Sequence, residues 1–423
     1  MACRRRRAAR VLALAALVGL PAQAAPTVVV HAGWLVDPAA GTASANQSVL
    51  VEDGRIRSVG PHRQAPPGAT VIDLSNRYVF PGLMDVHTHL CLSVKLQGGH
   101  GYAEALKAVL SATVLETTAR RALMGAAHAR EMLAAGFTTV RDVGNAGNYA
   151  DTDLRKSIEE GWIAGPTILN AGRIIAPLGG QFHALQPERP ELGEPEYLYA
   201  DTPEEMRRAV RKNVLFGAKL IKIVVDDQPY LYSVEDVRTL VAEAARAGMK
   251  VAAHCATDAG ARIAAEGGVA SIEHAYDAST ETLELMKRKG IFLVGTDYTQ
   301  TAAHEMGMDD YHARVVARLK RARAVGVPIA FGTDVLFPME GETRGSLAVA
   351  FVETYQEAGF PAPAILRMMT VDAARLLGLE KERGTLQPGA AADLVASDGN
   401  PLLDASALRR ISFVMKDGRV FRP

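Results

Sequence analysis

The chain has 423 residues, and its 47 Lys+Arg balance 47 Asp+Glu, so the formal charge is zero. That balance gives no support for a nucleic acid or an anionic membrane surface as partner. The length is too great for one small domain, and 48% hydrophobic residues with 38 glycines suit a packed α/β protein with many tight turns.

In chain order, residues 1–25 read as a secretory signal peptide. Arg4 to Arg7 form the basic part, Val11 to Leu20 the apolar part, and Ala22-Gln23-Ala24 the cleavage motif. The apolar stretch is too short for a bilayer, which needs about 20 residues. The expectation is an exported protein, periplasmic or secreted, with no membrane span after cleavage. Cys3 leaves with this segment. Cys91 and Cys255 stand too far apart in sequence to suggest a disulfide framework, and free thiols are expected.

From 26 to 80 the pattern is short β-rich runs, with Asp53-Gly54 as a hairpin signal. Residues 381–423 read alike, with Asp417-Gly418 as a second hairpin. Each end alone is short for a core, so the two are expected to join in one small β-sandwich domain. The middle, 81–380, alternates. Its strands read LMDVHTHL, TTVRDVG, TILNAG, LIKIVV, KVAAHC, SIEHA, IFLVGT and PIAFGTD. Helical patterns at 103–134, 203–216, 234–248, 258–267, 280–289 and 310–325 separate them. Eight such βα units predict a (β/α)8 TIM barrel, with a doubly wound open sheet as the alternative. A Pro-rich stretch from Ile174 to Pro203 reads as a long loop over the active-site face.

Alternate residues of a strand share a face, so His87 and His89 point the same way. Alone, such a pair is as readily packing as ligation. The other strands end in His254, His274 and Asp334, and LIKIVV sets Lys222 among apolar neighbours. Each has a plain explanation: a core histidine, a helix N-cap, a snorkelling lysine. Together they place metal-competent side chains at matching ends of several barrel strands, which points to a divalent-metal site. Burial also lowers a lysine's pKa and favours its neutral amine.

These motifs resemble the amidohydrolase superfamily: PGLMDVHTH, GFTTVRDVG, GAKLIKI, VAAHC, SIEHA, FGTD and the late GTLQPGAAADLV. Within it the chain is similar to the prolidase-like and dipeptide or N-acyl-amino-acid carboxypeptidase branch, which includes ochratoxin-degrading amidohydrolases. The resemblance implies two divalent ions, zinc above all. His87, His89 and Asp334 would hold the first, His254 and His274 the second, with Lys222, carboxylated at Nζ, bridging both. It further implies a small-molecule amide substrate, a homo-oligomer, and Asp334 as the catalytic proton carrier. Relatives often carry Gly-Gly-His-Gly after the third strand. Here the sequence is PLGGQFHAL, so Gln181 follows the glycines and His183 is displaced; His183 is either an oxyanion donor or an exposed loop histidine.

A substrate carboxylate needs a cation or hydroxyls. Arg141, Arg173, Tyr230, Tyr232, His304 and Tyr311 are candidates, and Arg141 is alternatively an internal partner of Asp142. The expected reaction is hydrolysis of an N-acyl amino acid or dipeptide. A cyclic amidase or deaminase resembling imidazolonepropionase is the alternative, which Lys222 argues against. A non-catalytic metal-binding protein is the third reading.

Overall fold

The structure is a computed structural model that describes residues 27–95, 101–183, 185–228 and 230–423. Residues 1–25, read as a signal peptide, lie outside the described residues.

Strands β1 (Val28–Asp37), β2 (Thr42–Glu52), β3 (Arg55–Pro61) and β4 (Thr70–Pro81) open the chain. The β2–β3 hairpin turns at Asp53 and Gly54, whose φ values of 51° and 73° are the pair of positive angles a tight hairpin demands. The barrel comes next, with β5 (Leu83–Thr88), β6 (Phe137–Asp142), β7 (Thr167–Asn170), β8 (Ile174–Ala176), β9 (Tyr197–Tyr199), β10 (Ile221–Val224), β11 (Val251–Cys255), β12 (Ser271–His274) and β13 (Phe292–Val294). The chain closes with β14 (Leu394–Ser397), β15 (Ile411–Lys416) and β16 (Arg419–Arg422).

The two chain ends share one mixed seven-stranded sheet, ordered β16-β15-β14-β4-β1-β2-β3. The sheet bends until its outer strand β3 meets the segment before β14, through Ile56 N–H to Ala390 O at 2.8 Å and Ala392 N–H to Gly54 O at 2.9 Å. Val30, Val49, Ile56, Leu394, Phe413 and Met415 fill the space it encloses. The expected β-rich domain is therefore one wrapped sheet.

The barrel is pieced from two parallel sheets, β5-β6-β7 and β13-β12-β11-β10-β8-β9. Lys219 N–H to Asn170 O at 2.7 Å joins them on one side. The other side is closed by residues 328–334. Leu293 N–H bonds Pro328 O at 2.9 Å, Val86 N–H bonds Phe331 O at 2.9 Å and Asp334 N–H bonds His87 O at 2.8 Å. The sequence pattern predicts a strand for this eighth segment, but it makes only one bridge, Leu293 to Ile329. Its Gly332 lies so close to its neighbours that a Cβ would sit 2.5 Å from Val294 Cγ1 and 2.8 Å from His87 Cβ. The inner strands are buried on both faces, as β10 and β11 show throughout, which is why they read as apolar runs.

Two further elements differ from expectation. The helical stretch 103–134 is two helices, α1 (Tyr102–Leu115) and α2 (Thr118–Ala134), because Thr117 caps α2 by accepting from Arg120 N–H. The long loop after the third strand contains β8 and β9, which extend the sheet beside β10. Buried Glu196 pins this loop to both helices: it accepts from Thr113 Oγ1 at 3.0 Å, pairs with Arg121, and accepts Gly147 N–H at 3.0 Å. Among the described residues no helix is long and apolar enough to cross a membrane.

Candidate metal centre and active site

The C-terminal ends of the barrel strands bring His87, His89, Lys222, His254, His274 and Asp334 around one cavity of about 80 Å³. Ligand atoms of His87, His274 and Asp334 all lie within 4.8 Å of one another. His89 Nε2 and His87 Nε2 stand 3.1 and 3.7 Å from Asp334 Oδ1. The rings of His254 and His274 are 4.5 Å apart, and those of His87 and His274 5.0 Å.

Three imidazoles are oriented from behind. His87 Nδ1–H donates to Glu273 Oε2 at 2.7 Å, and His89 Nδ1–H donates to the Gly144 carbonyl at 2.7 Å. His274 Nδ1 meets Thr296 Oγ1 at 2.8 Å; that hydroxyl donates onward to the Gly295 carbonyl, so the ring nitrogen is the donor. With each Nδ1 committed as a donor, each Nε2 presents its lone pair, the tautomer a metal ligand requires. The backbone supports this with unusual angles at the strand ends, His274 at φ 67°, Thr296 at 54° and Asp334 at 57°. Such positions cluster where a site needs fixed geometry.

Buried polar atoms without a hydrogen-bond partner are costly. Here they include Lys222 Nζ, His254 Nε2 and Asp334 Oδ1. Asp334 Oδ1 lies near His89 but out of line for a hydrogen bond, so both atoms face shared space. Nitrogen lone pairs, a carboxylate oxygen and a lysine amine converging on one cavity fit a divalent ion of the zinc type.

The charges agree with that arrangement. Burial pulls the Lys222 ammonium down to about 8, with Arg141 adding to the effect while Glu273 and Asp334 oppose it. Burial, then the Lys222 charge, lowers His87 to about 4. Burial works to raise Asp334, but His87 and His89 outweigh it and hold the carboxyl below its usual range. The amine thus gives up its proton more readily than an ordinary lysine, and the carboxylate stays ionised.

Other residues named from the sequence fall elsewhere. Arg141 does not reach the cavity. It donates to the Val86 carbonyl, to Ser271 Oγ at 2.9 Å and to both Glu273 oxygens at 2.8 Å, so its partner is Glu273 and not Asp142. It thereby keeps Glu273 ionised against burial, and Glu273 keeps His87 aimed. Tyr232 is buried with its hydroxyl on Ala200 O at 2.7 Å, and Tyr230 is exposed. Arg173 donates through Nη2 to Tyr197 O at 2.7 Å and does not line the cavity, and exposed His304 pairs with Asp309. Tyr311 does line the cavity. His183 is half exposed at the mouth, with Nε2 on the Asp227 carbonyl at 2.5 Å, and does not line the cavity. Cys91 and Cys255 are buried free thiols.

The roof carries no such signal in the sequence. Asp227 Oδ2 accepts from Tyr102 on α1 and from Gln181 Nε2 at 2.8 Å, while Tyr197 donates to Gln181 Oε1 at 3.1 Å. Tyr276, Tyr298, Met306 and Met308 complete the wall, and among the described residues no arginine lines it.

Comparison with known proteins matches this architecture. The amidohydrolase family profile covers residues 78–421. Ochratoxinase of Aspergillus niger is 27% identical over 94% of this chain and 87% of its own, and its crystal structure superposes with a TM-score of 0.79, covering 94% and 96% of the two chains. A Xaa-Pro dipeptidase crystallised with methionine in its active site is 27% identical, with a TM-score of 0.80 over 94% of this chain and all of that one. Imidazolonepropionase of Deinococcus radiodurans is 26% identical over 83% of this chain and 85% of its own. The chain belongs to the amidohydrolase family and is a hydrolase that acts on amide bonds.

Proposed function

We propose that this enzyme is a binuclear metal-dependent amidohydrolase that cleaves the amide of an N-acyl amino acid or a dipeptide, ochratoxin-type amides included. The observation that carries the reading is Lys222. Its Nζ is buried without a hydrogen-bond partner in a cavity that also holds four histidines and Asp334. A lysine left as a free ammonium there would repel cations, whereas one carboxylated at Nζ would draw two of them together.

His87, His89 and Asp334 would hold one ion, His254 and His274 the other, and carboxylated Lys222 both. Divalent ions there, zinc best suiting the nitrogen-rich set, supply Lewis acidity that acidifies water and polarises a carbonyl. Asp334 Oδ1, without a hydrogen-bond partner inside the cavity, accepts the proton of the attacking water and returns it to the leaving nitrogen. Glu273 and Arg141 hold His87 in register while this happens. The tyrosine and methionine wall excludes bulk water and packs the acyl group. The names of the ochratoxinase and dipeptidase relatives support an amino acid as leaving group. The basic and apolar N-terminal segment adds the proposal that the reaction takes place outside the cytoplasm.

The test is a zinc-loaded preparation assayed on dipeptides, N-acyl amino acids and an ochratoxin-type amide. Turnover that a chelator abolishes and zinc restores, with two ions per chain, is expected. One ion per chain together with an active Lys222→Ala variant would replace this reading with a mononuclear cyclic amidase or deaminase.

A further inference from the structure

We propose that Asp227 is an additional ligand of the second ion, closing its coordination in the resting enzyme; this rests on the two-ion reading above. Spacing points to it first. Two ligands each about 2.1 Å from a tetrahedral ion stand about 3.4 Å apart. Asp334 Oδ1 keeps that spacing from the first pair of imidazoles, at 3.1 Å from His89 Nε2 and 3.7 Å from His87 Nε2. Asp227 Oδ2, just behind the cavity wall, repeats it 3.5 Å from His254 Nε2. That nitrogen is buried and has no hydrogen-bond partner, so its lone pair and the carboxylate face common space.

The backbone supports the same reading. Asp227 adopts φ 121°, a region that residues other than glycine seldom enter. It sits there because the chain leaves β10 sharply and turns the carboxylate inward, where Tyr102 and Gln181 hold Oδ2. The consequence is a coordination position occupied by the roof itself.

Zinc binding by competition with a chromophoric chelator, with metal content by mass spectrometry, tests this on the full protein. Asp227→Asn suits the test because it keeps the size of the side chain and its acceptor oxygen for Tyr102 and Gln181 while removing the carboxylate charge. The expected result is two ions in the wild type, and a variant that keeps the first and binds the second at least tenfold more weakly. Two ions bound with unchanged affinities would overturn the Asp227 assignment and leave the two-ion reading standing. Fewer than two ions in the wild type would overturn both. A crystal structure of zinc-loaded wild-type protein is the check if the variant misfolds: Asp227 Oδ2 at about 2.0–2.2 Å from an ion supports the assignment, and an oxygen beyond about 3 Å overturns it.

Discussion

At the floor of the cavity each of three imidazoles leans on something immobile: a buried carboxylate, a backbone carbonyl, a threonine hydroxyl. At the roof Tyr102, Gln181, Asp227 and Tyr197 lean on one another. The floor comes from strand ends in the barrel, and the roof from helix α1, two loops and the start of β9. A rigid floor suits groups that must keep sub-ångström spacing, while a roof of mutual hydrogen bonds can open and reclose. On the proposed reading the floor sets the reaction type, and the roof meets the substrate and, through Asp227, reaches the second ion.

Substitutions separate the two. The largest effect is expected at the floor itself: Asp334→Asn should lower kcat by about 10²–10⁴-fold on any amide substrate, as loss of a proton carrier does, measured by steady-state assay at matched zinc content. One layer below, Glu273→Gln should weaken zinc binding by about 10–100-fold. It also leaves Arg141 as a buried charge without its partner, destabilising the fold by about 3–5 kcal/mol; chelator competition and urea unfolding read the two effects. If Glu273→Gln changed only stability, the floor would not be the rigid reference claimed for it.

The floor is also braced from outside by His128 on α2, whose Nδ1–H donates to the Leu90 carbonyl at 2.7 Å. Burial, then the Arg344 charge, pushes this imidazole down to about 4. An unfolded chain takes up the proton near pH 6.5 and the folded one resists it. The stability from His128 is therefore complete above about pH 6.5 and is lost as pH falls through 4, up to about 3 kcal/mol. Urea midpoints across that range should flatten in His128→Asn. The smallest effect belongs to the roof: Tyr197→Phe removes one hydrogen bond to Gln181, about 1 kcal/mol. A severalfold change in KM is expected with kcat and zinc content unchanged. A larger effect on kcat than on KM would erase the division between roof and floor.

The floor was largely legible in the sequence because strand alternation and strand ends fix where a side chain points. His87, His89, His254, His274 and Asp334 fall at or near the ends of recognisable apolar runs, Lys222 interrupts one, and all six meet in one cavity. Arg141 and Glu273 were visible as charges in buried strands, but their pairing spans 132 residues and depends on which strands face across the barrel. The roof was not legible. Tyr102 and Asp227 are 125 residues apart, one at the start of a helix and one in a loop, and no periodicity links them. Burial of Tyr232 and exposure of Tyr230 likewise arise from loop packing that local pattern does not encode. The break between α1 and α2 could have been read from Thr117 as a cap, but the continuous helical periodicity concealed it.

The shared sheet of the chain ends has a temporal side. Strand β4, which leads directly into the first metal-facing strand, pairs with β1 on one edge and with β14 on the other. Until Leu394–Ser397 is available, that second edge of β4 stays open, and long-range strand pairing of this kind is slow to form. A chain cut short before Leu394 would carry every chemical group of the centre beside an unsealed strand edge, and light scattering on such a truncation is expected to show aggregation.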